Sequence, residues 1–424
     1  MKRALARIAM FGGLGIVLTL PTTGAASAAH ASGPGTHWTA TWTAGPTAAR
    51  SSGLSHSGLT DQTIRNVLHP SVGGTTVRIR LTNRYGSRPV TFDEVTVGLA
   101  DGPAADDVMP VTFHRAGSVT IPVGGDVASD PVPLRVGRGQ ALAVSLFSAT
   151  ATGPATYHNA AHTTSYLAGG DHAADRAGTA FTGTTTSWFF VDGIDVWAPP
   201  HVGTIVALGD SITDGTGTAD NTDTRWTDDL FARIASGPPG RLEAVVDSGI
   251  GGNEVTLDRQ PPLYGVSAQR RLDADVLHQP GVSLVLVFEG VNDLTAGNAP
   301  ADQVIAGLAD IAGRIHAAGL KAVGFTITPC GGYSSCGAGP LAQRALVNDW
   351  IRTSGAFDGV VDFDAVTRDP AGPTRFLPAY DSGDHLLPAY DSGDHLHPDA
   401  AAYRRLADGI DVNTLDRLVV RHPG

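Results

Sequence analysis

The sequence predicts an α/β protein built on a parallel sheet, preceded by an all-β sandwich or jelly-roll module. Two observations carry this: a change of rhythm near residue 200, and clusters of small and polar residues at the strand ends beyond it. From about Trp38 to Trp197 the chain reads as short strands between turns. Residues 75–83 alternate apolar and polar side chains with period two. VTFDEVTVGLA, SVTIPV, ALAVSLF and SWFFVDGIDVW repeat that rhythm, with Gly, Pro, Asp or Ser between them. Period two puts one face of each strand on a core, and regularly spaced short strands of this kind build sandwiches and barrels. Pro199-Pro200 closes the region, since neither residue can donate to a ladder.

Beyond the prolines the pattern becomes strand, loop, helix, repeated. TIVALGDS, RLEAVVDSGIGGN, VSLVLVFEGVND, LKAVGFTIT and GVVDFD each hold an apolar strand. Between the third and fourth, Val304, Leu308, Ile311 and Ile315 fall on one face of a helix. Continuous apolar strands alternating with amphipathic helices indicate a parallel sheet covered on both sides. Right-handed crossovers then gather the strand-end loops along one edge.

The first residues read as a targeting segment. Lys2, Arg3 and Arg7 make a basic start, Ile8 to Leu20 an apolar run, and small residues allow cleavage after Ala28 or Ala31. That is the layout of a secretory signal peptide, and the apolar run is too short to span a bilayer comfortably. An uncleaved anchor is the alternative. The expected organisation is a signal peptide over 1–31, a β-sandwich module over 36–200 and a catalytic α/β domain over 201–424, in an extracellular protein without a stable membrane anchor. Hydrophobic residues make up 42% and charged residues 17%, a globular balance. The formal charge of −12 argues against nucleic acid or an anionic membrane as partner, because both reward positive charge. The two cysteines, Cys330 and Cys336, stand close together in CGGYSSC. In an oxidising compartment such a pair most simply forms a disulfide. A metal site is the sharper reading, but no second Cys or His pair at ligand spacing accompanies it.

One repeat is unusual. LPAYDSGDHL runs from Leu377 to Leu386 and recurs from Leu387 to Leu396, and only the second copy continues into His397 and Pro398. A ten-residue unit copied once cannot stack a core, so this is a local duplication, not a repeat architecture.

Ligands of open α/β sheets bind at the carboxyl ends of the strands. There the sequence puts Gly209, Asp210 and Ser211, then Gly249 to Asn253, then Gly290, Asn292 and Asp293; Asp394 and His397 stand before the last helical pattern. These are the parts of an acyl-transfer site. A serine hydroxyl needs a base to accept its proton as it attacks, which His397 can do near neutral pH. Asp394, three residues earlier, can hold the ring in the right tautomer. The oxyanion of the tetrahedral intermediate needs donors already aimed at it, and the Ser211 N–H, the Gly252 N–H and the Asn292 side chain can supply them. Neither metal nor cofactor is required.

GDS, SGIGGN, GVND and DHLHP, in that order, resemble the four blocks of the SGNH/GDSL hydrolases. The resemblance covers roughly the C-terminal half, and its name letters fall on Ser211, Gly252, Asn292 and His397. It implies a flavodoxin-like three-layer fold and hydrolysis of small-molecule or polysaccharide esters through an acyl-enzyme. No G-x-S-x-G pentapeptide of the commoner lipases occurs. The front half is similar, more weakly, to accessory modules of secreted esterases. The duplication departs from the pattern: its first copy has Asp384 but Leu387 where the histidine belongs.

Each assignment has a plainer counterpart. Ser211 can be a turn serine, Gly252 a tight-turn glycine, Asn292 a cap and His397 a helix-start residue; Asp394 can bond only within its own turn. Four ordered blocks favour the catalytic readings. Asp210 and Asp293 read as structural supports, and His385 and His395 as solvated by-products of the repeat. Trp38, Trp42 and Trp188 read as core residues, not a sugar platform. The rival function is a secreted glycan-binding protein whose hydrolase half is inactive.

Overall fold

Five strands, Thr204–Gly209, Ala244–Gly249, Val282–Phe288, Ala322–Phe325 and Gly359–Val361, form one sheet in the computed structural model, and all of its neighbouring pairs are parallel. The structure describes residues 37–238, 243–259, 264–377 and 394–421. The signal segment expected over 1–31 and most of the duplicated decapeptide, with Asp384, His385 and Leu387, lie outside them. The strand order is second, first, third, fourth, fifth. This is the flavodoxin-like order, and its switch point lies beside the first strand.

Alternation within the first strand builds the three layers. Val206 and Leu208 join one hydrophobic cluster with Val304, Leu308, Ile311 and Ile315 of the helix Ala301–Ala317. Ile205 and Ala207 join the opposite cluster, with Trp226 and Leu230 of the helix Trp226–Ala235 and Tyr403 and Leu406 of the helix Ala400–Asp408. All seven residues of VSLVLVF are buried, as a strand covered on both faces requires.

Among the described residues the front module has two large antiparallel sheets, beside two-stranded pairs of Val90–Phe92 with Val119–Ile121 and of Tyr157–His158 with Trp188–Phe189. One runs His37–Thr43, Val191–Ala198, Val77–Thr82, Asp126–Ala128; the other runs Gly183–Thr185, Ser165–Gly169, Gln62–Leu68, Leu142–Ser148, Glu94–Asp101, Ala104–Pro110. Ile79 and Ile194 from the first and Ile64, Val97 and Leu146 from the second meet in one cluster, which makes a sandwich. Trp42 and Trp188 are buried in it with their rings edge to face, 4.8 Å apart. Trp38 is half-buried, edge-on to Trp197 at 5.1 Å.

The last antiparallel strand ends at Ala198 and the first parallel strand begins at Thr204, on either side of Pro199-Pro200. The two parts share hydrogen bonds across this junction. Thr43 Oγ1 donates to the Asp247 carbonyl at 2.7 Å, Thr204 Oγ1 to the Ala40 carbonyl at 2.9 Å, and the Ala40 N–H to the Pro280 carbonyl at 2.8 Å. The module's strand His37–Thr43 thereby lies against the parallel sheet, meeting its edge strand Ala244–Gly249 at Asp247.

Candidate active site

Three adjacent strands end at one level. Gly209 is in register with Gly249 on one side and with Phe288 on the other, so the loops carrying Ser211, Gly252 and Asn292 leave the sheet together. The first turn is tight. A Cβ on Gly209 would meet Thr213 Oγ1 at 2.0 Å, so only glycine fits ahead of Asp210 and Ser211. Ser211 opens the short helix Ser211–Asp214, which Asp210 caps by accepting the Ile212 N–H at 2.9 Å. Ser211 is 5% exposed.

The C-terminal loop brings the imidazole to this turn. His397 Nε2 lies 2.8 Å from Ser211 Oγ, and His397 Nδ1 lies 2.6 Å from Asp394 Oδ2. Asp394 Oδ1 accepts the backbone N–H groups of Leu396 at 3.0 Å and His397 at 2.9 Å. The described segment is anchored on either side of His397. Leu396 is buried, Asp399 caps the following helix by accepting from Ala401 and Ala402, and Tyr403 Oη donates to the Thr216 carbonyl at 2.7 Å. Both roles considered for Asp394, orienting the ring and bonding within its turn, are therefore geometrically met. Burial alone would raise the Asp394 carboxyl, but the hydrogen bonds from the His397 ring and backbone and the charge of the ring hold it well below the usual carboxylate range.

Gly252 has φ +76°, and a Cβ there would meet the Tyr264 ring at 2.3 Å, so the position needs glycine twice over. No acceptor for the Gly252 N–H is found among the described residues. Asn292 is the second residue of the helix Val291–Thr295, and its Nδ2 donates to the Asn253 carbonyl at 3.0 Å. An amide nitrogen has two hydrogens, so one stays available. Asp293 accepts the Val255 N–H at 2.9 Å and the Thr256 N–H at 3.3 Å, as a support would.

Sequence reasoning missed three groups. Arg271 is 2% exposed and ties the loops together, donating to the carbonyls of Gly209 at 2.8 Å and Ser248 at 2.6 Å and to Asn253 Oδ1 at 2.9 Å. It faces Glu289 and Asp275. Burial pushes Asp210 up to about 7 and Asp293 up to about 6, and it pushes Glu289 well above the ordinary range despite Arg271. Asp214 and His158 are the other two. Asp214 stands three residues after Ser211 on the same short helix, a spacing that could have flagged it. His158 belongs to the front module, and no local pattern points to it.

His395 corrects one expectation. It is half-buried rather than solvated, with φ +64°, and it packs so closely on Gly332 that a Cβ there would lie 2.9 Å from its ring. Cys330 and Cys336 form a disulfide, and the loop they close is the one that carries Gly332. Among the described residues no group of three or more His, Cys, Asp or Glu side chains is arranged to hold a metal ion.

A flavodoxin-like sheet with a serine, an imidazole and a carboxylate linked in series at its carboxyl edge defines an ester hydrolase. Residues 207–405 match the model of the GDSL-like lipase/acylhydrolase family, and this part of the chain is a domain of that family. A comparison with curated proteins finds no match. Among solved structures the chain is similar to a carbohydrate acetylesterase family member from Sinorhizobium meliloti, with 16% identity over 51% of this chain and 98% of that one at a TM-score of 0.40. It is also similar to the aryl esterase of M. smegmatis, with 16% identity over 51% of this chain and 99% of that one at a TM-score of 0.39.

Proposed function

We propose that this chain is a secreted serine esterase that hydrolyses carboxylic esters through an acyl-enzyme. The observation that carries the reading is the unbroken series Ser211 Oγ, His397 Nε2, His397 Nδ1, Asp394 Oδ2, with steps of 2.8 and 2.6 Å. In it Ser211 attacks the ester carbonyl while His397 takes its proton, and Asp394 holds the ring with Nδ1–H toward itself. The N–H groups of Ser211 and Gly252 and the free hydrogen of Asn292 Nδ2 receive the oxyanion. His397 then passes the proton to the departing alcohol, and a water repeats the sequence to release the acid.

The reading extends to the whole chain: a signal peptide over 1–31, a β-sandwich module over 36–200 and a catalytic domain over 201–424, acting outside the cell. Small-molecule and polysaccharide esters are the substrate classes, and the lack of a long apolar lid segment in the sequence favours short acyl groups. The intact hydrogen-bonded series favours an enzyme over an inactive glycan-binding relative, because the duplication leaves Asp394 and His397 seated on Ser211. The test is p-nitrophenyl acetate turnover by the wild type and Ser211→Ala. A loss of roughly 10⁴-fold or more is expected, and equal rates would dispose of the reading. A screen over acyl chain length and acetylated polysaccharides then assigns the substrate.

A further inference from the structure

We infer that His158, on the β-sandwich module, is a positioning residue for hydrolysis: acting through Asp214, it fixes the glycine loop that presents the Gly252 N–H. The inference deepens the esterase reading and rests on it.

The ring of His158 is 4% exposed and lies beside Trp188, with centroids 5.3 Å apart. Its Nδ1 is 2.9 Å from the Gly45 carbonyl oxygen; its Nε2 is 3.0 Å from Asp214 Oδ1 and 3.3 Å from the Ala160 carbonyl oxygen. Every one of these partners is an acceptor. A neutral imidazole has one N–H and one lone pair, so it would turn a lone pair toward an oxygen. Only the imidazolium satisfies both nitrogens.

Asp214 ends the short helix that Ser211 begins. Its Oδ1 accepts the hydrogen bond from His158 Nε2, and its Oδ2 accepts the Gly251 N–H at 2.9 Å. Its own N–H donates to the Asp210 carbonyl at 2.9 Å, and its carbonyl accepts from Arg225 Nε at 2.8 Å. One carboxylate therefore joins the nucleophile helix to the residue immediately before Gly252, and the front module supplies the charge that lets it stay ionised in the interior. Arg225 makes the same crossing, donating from Nη2 to the Ala161 carbonyl at 2.8 Å. The other titratable groups acting on this pair include His162 on the module, Asp247 on the edge strand and Tyr403 on the helix Ala400–Asp408. Burial opposes the charged ring, but the charge and hydrogen bond of Asp214 and the Gly45 carbonyl outweigh it and raise the proton affinity of His158.

Position matters here because an oxyanion donor acts by being aimed before charge develops. Besides Gly251 N–H to Asp214, the loop is held by the Ile250 N–H on the Gly209 carbonyl and the Asn253 N–H on the Ile250 carbonyl, each at 3.0 Å. The bond to Asp214 holds the residue directly before the donor, while the Asn253 N–H holds the residue after it and Arg259 Nη1 lies 3.4 Å from the Gly252 carbonyl oxygen. The β module thereby becomes part of the scaffold for the chemistry rather than an appended unit.

The test uses the full chain and an ester whose turnover Ser211→Ala abolishes, with rates expressed per titrated active site. Asp214→Ala is expected to lower kcat by roughly 10- to 100-fold with KM within about twofold, the pattern of a contact used only in the transition state. Asp214→Asn is expected to recover kcat to within about fivefold of wild type. Its amide oxygen can accept the Gly251 N–H while its amide nitrogen donates to Nε2 of a neutral His158, whose Nδ1–H still meets Gly45. His158→Gln is expected to speed hydrogen exchange in the peptide containing Gly251 by roughly tenfold, a readout that needs no turnover and stands if Asp214→Ala does not fold. Wild-type kcat in folded Asp214→Ala, a loss confined to KM, Asp214→Asn no better than Asp214→Ala, or unchanged exchange in His158→Gln would overturn the inference. Turnover that survives Ser211→Ala would instead overturn the esterase reading, and the exchange measurement would still judge the His158 clamp.

Discussion

Asp394→Asn separates the two roles that the geometry of Asp394 allows. The carboxylate uses one oxygen, Oδ1, for the backbone N–H groups of Leu396 and His397, and the other, Oδ2, for the His397 ring. An asparagine keeps the turn by leaving its amide oxygen on the two backbone donors. Its NH2 group then faces His397 Nδ1, which must become an acceptor, so the ring proton moves to Nε2 and points at Ser211 Oγ. In that tautomer the ring cannot take the serine proton. A wrong tautomer of this kind costs on the order of 10⁴ in kcat, equivalent to about 5.5 kcal/mol of transition-state stabilisation. Because the turn bonds survive, the thermal midpoint is expected to stay within a few degrees of wild type. The assay is p-nitrophenyl acetate turnover, with thermal unfolding on the same samples. A kcat within tenfold of wild type would refute the reasoning and leave Asp394 a turn residue. The sign of its titration adds a check. Its folded-state pKa is depressed, so whatever stability it lends is present above the unfolded value near 3.9 and is lost as pH falls through the folded value. With 39% of its side chain exposed, that contribution is small. A decline of activity in mild acid therefore does not come from protonation of Asp394.

Two further outcomes follow from the packing. Gly252→Ala pushes a Cβ into the Tyr264 ring at a positive φ, so kcat is expected to fall at least ~10-fold and stability by about 1–3 kcal/mol; wild-type kinetics would show that the loop is not held as described. Glu243 is 5% exposed, accepts a hydrogen bond from Ser283 Oγ at 2.9 Å, and is raised by burial from 4.5 to about 7. The folded state therefore holds this proton more tightly, and stability drops as pH climbs from the unfolded value to about 7. Glu243→Gln removes that slope and is expected to match wild type near pH 4 and exceed it by on the order of 3 kcal/mol above pH 8; parallel curves in chemical denaturation would contradict this.

What could be read in advance were the features set by local pattern. The five parallel strands appear where continuous apolar runs placed them, and Ser211, His397 and Asp394 meet because each sits on a strand-end or helix-start segment that the fold carries to one edge. The helix Ala301–Ala317 shows the stripe of Val304, Leu308, Ile311 and Ile315 as buried residues. What could not be read were partnerships over long distances. The strand Gln62–Leu68 hides its period because Arg65 and Asn66 are both buried; Arg65 is tolerated by hydrogen bonds to Ser145 and to the Pro103 and Asp175 carbonyls, and by the Phe181 ring 4.0 Å away. The strand Ala104–Pro110 is an edge with two exposed aspartates and lacks alternation. Arg271 and His158 carry no motif because their partners are carbonyls and carboxylates contributed by other elements. His395 looked like a leftover of the duplication because nothing in its decapeptide reveals that Gly332 lies beneath it.

The small disulfide loop has a consequence for where a working enzyme can be made. The Gly331 N–H donates to the Thr374 carbonyl at 2.7 Å, Gly332 lies under His395, and Cys330, Cys336 and Leu396 share one apolar cluster. The covalent staple thus props the chain two residues before His397. Protein synthesised in a reducing cytosol would carry its imidazole on a segment without that brace, while the sandwich, whose core holds neither cysteine, folded as before. Yield judged by solubility and yield judged by titrated serine would then diverge, and oxidation of the purified chain would close the gap.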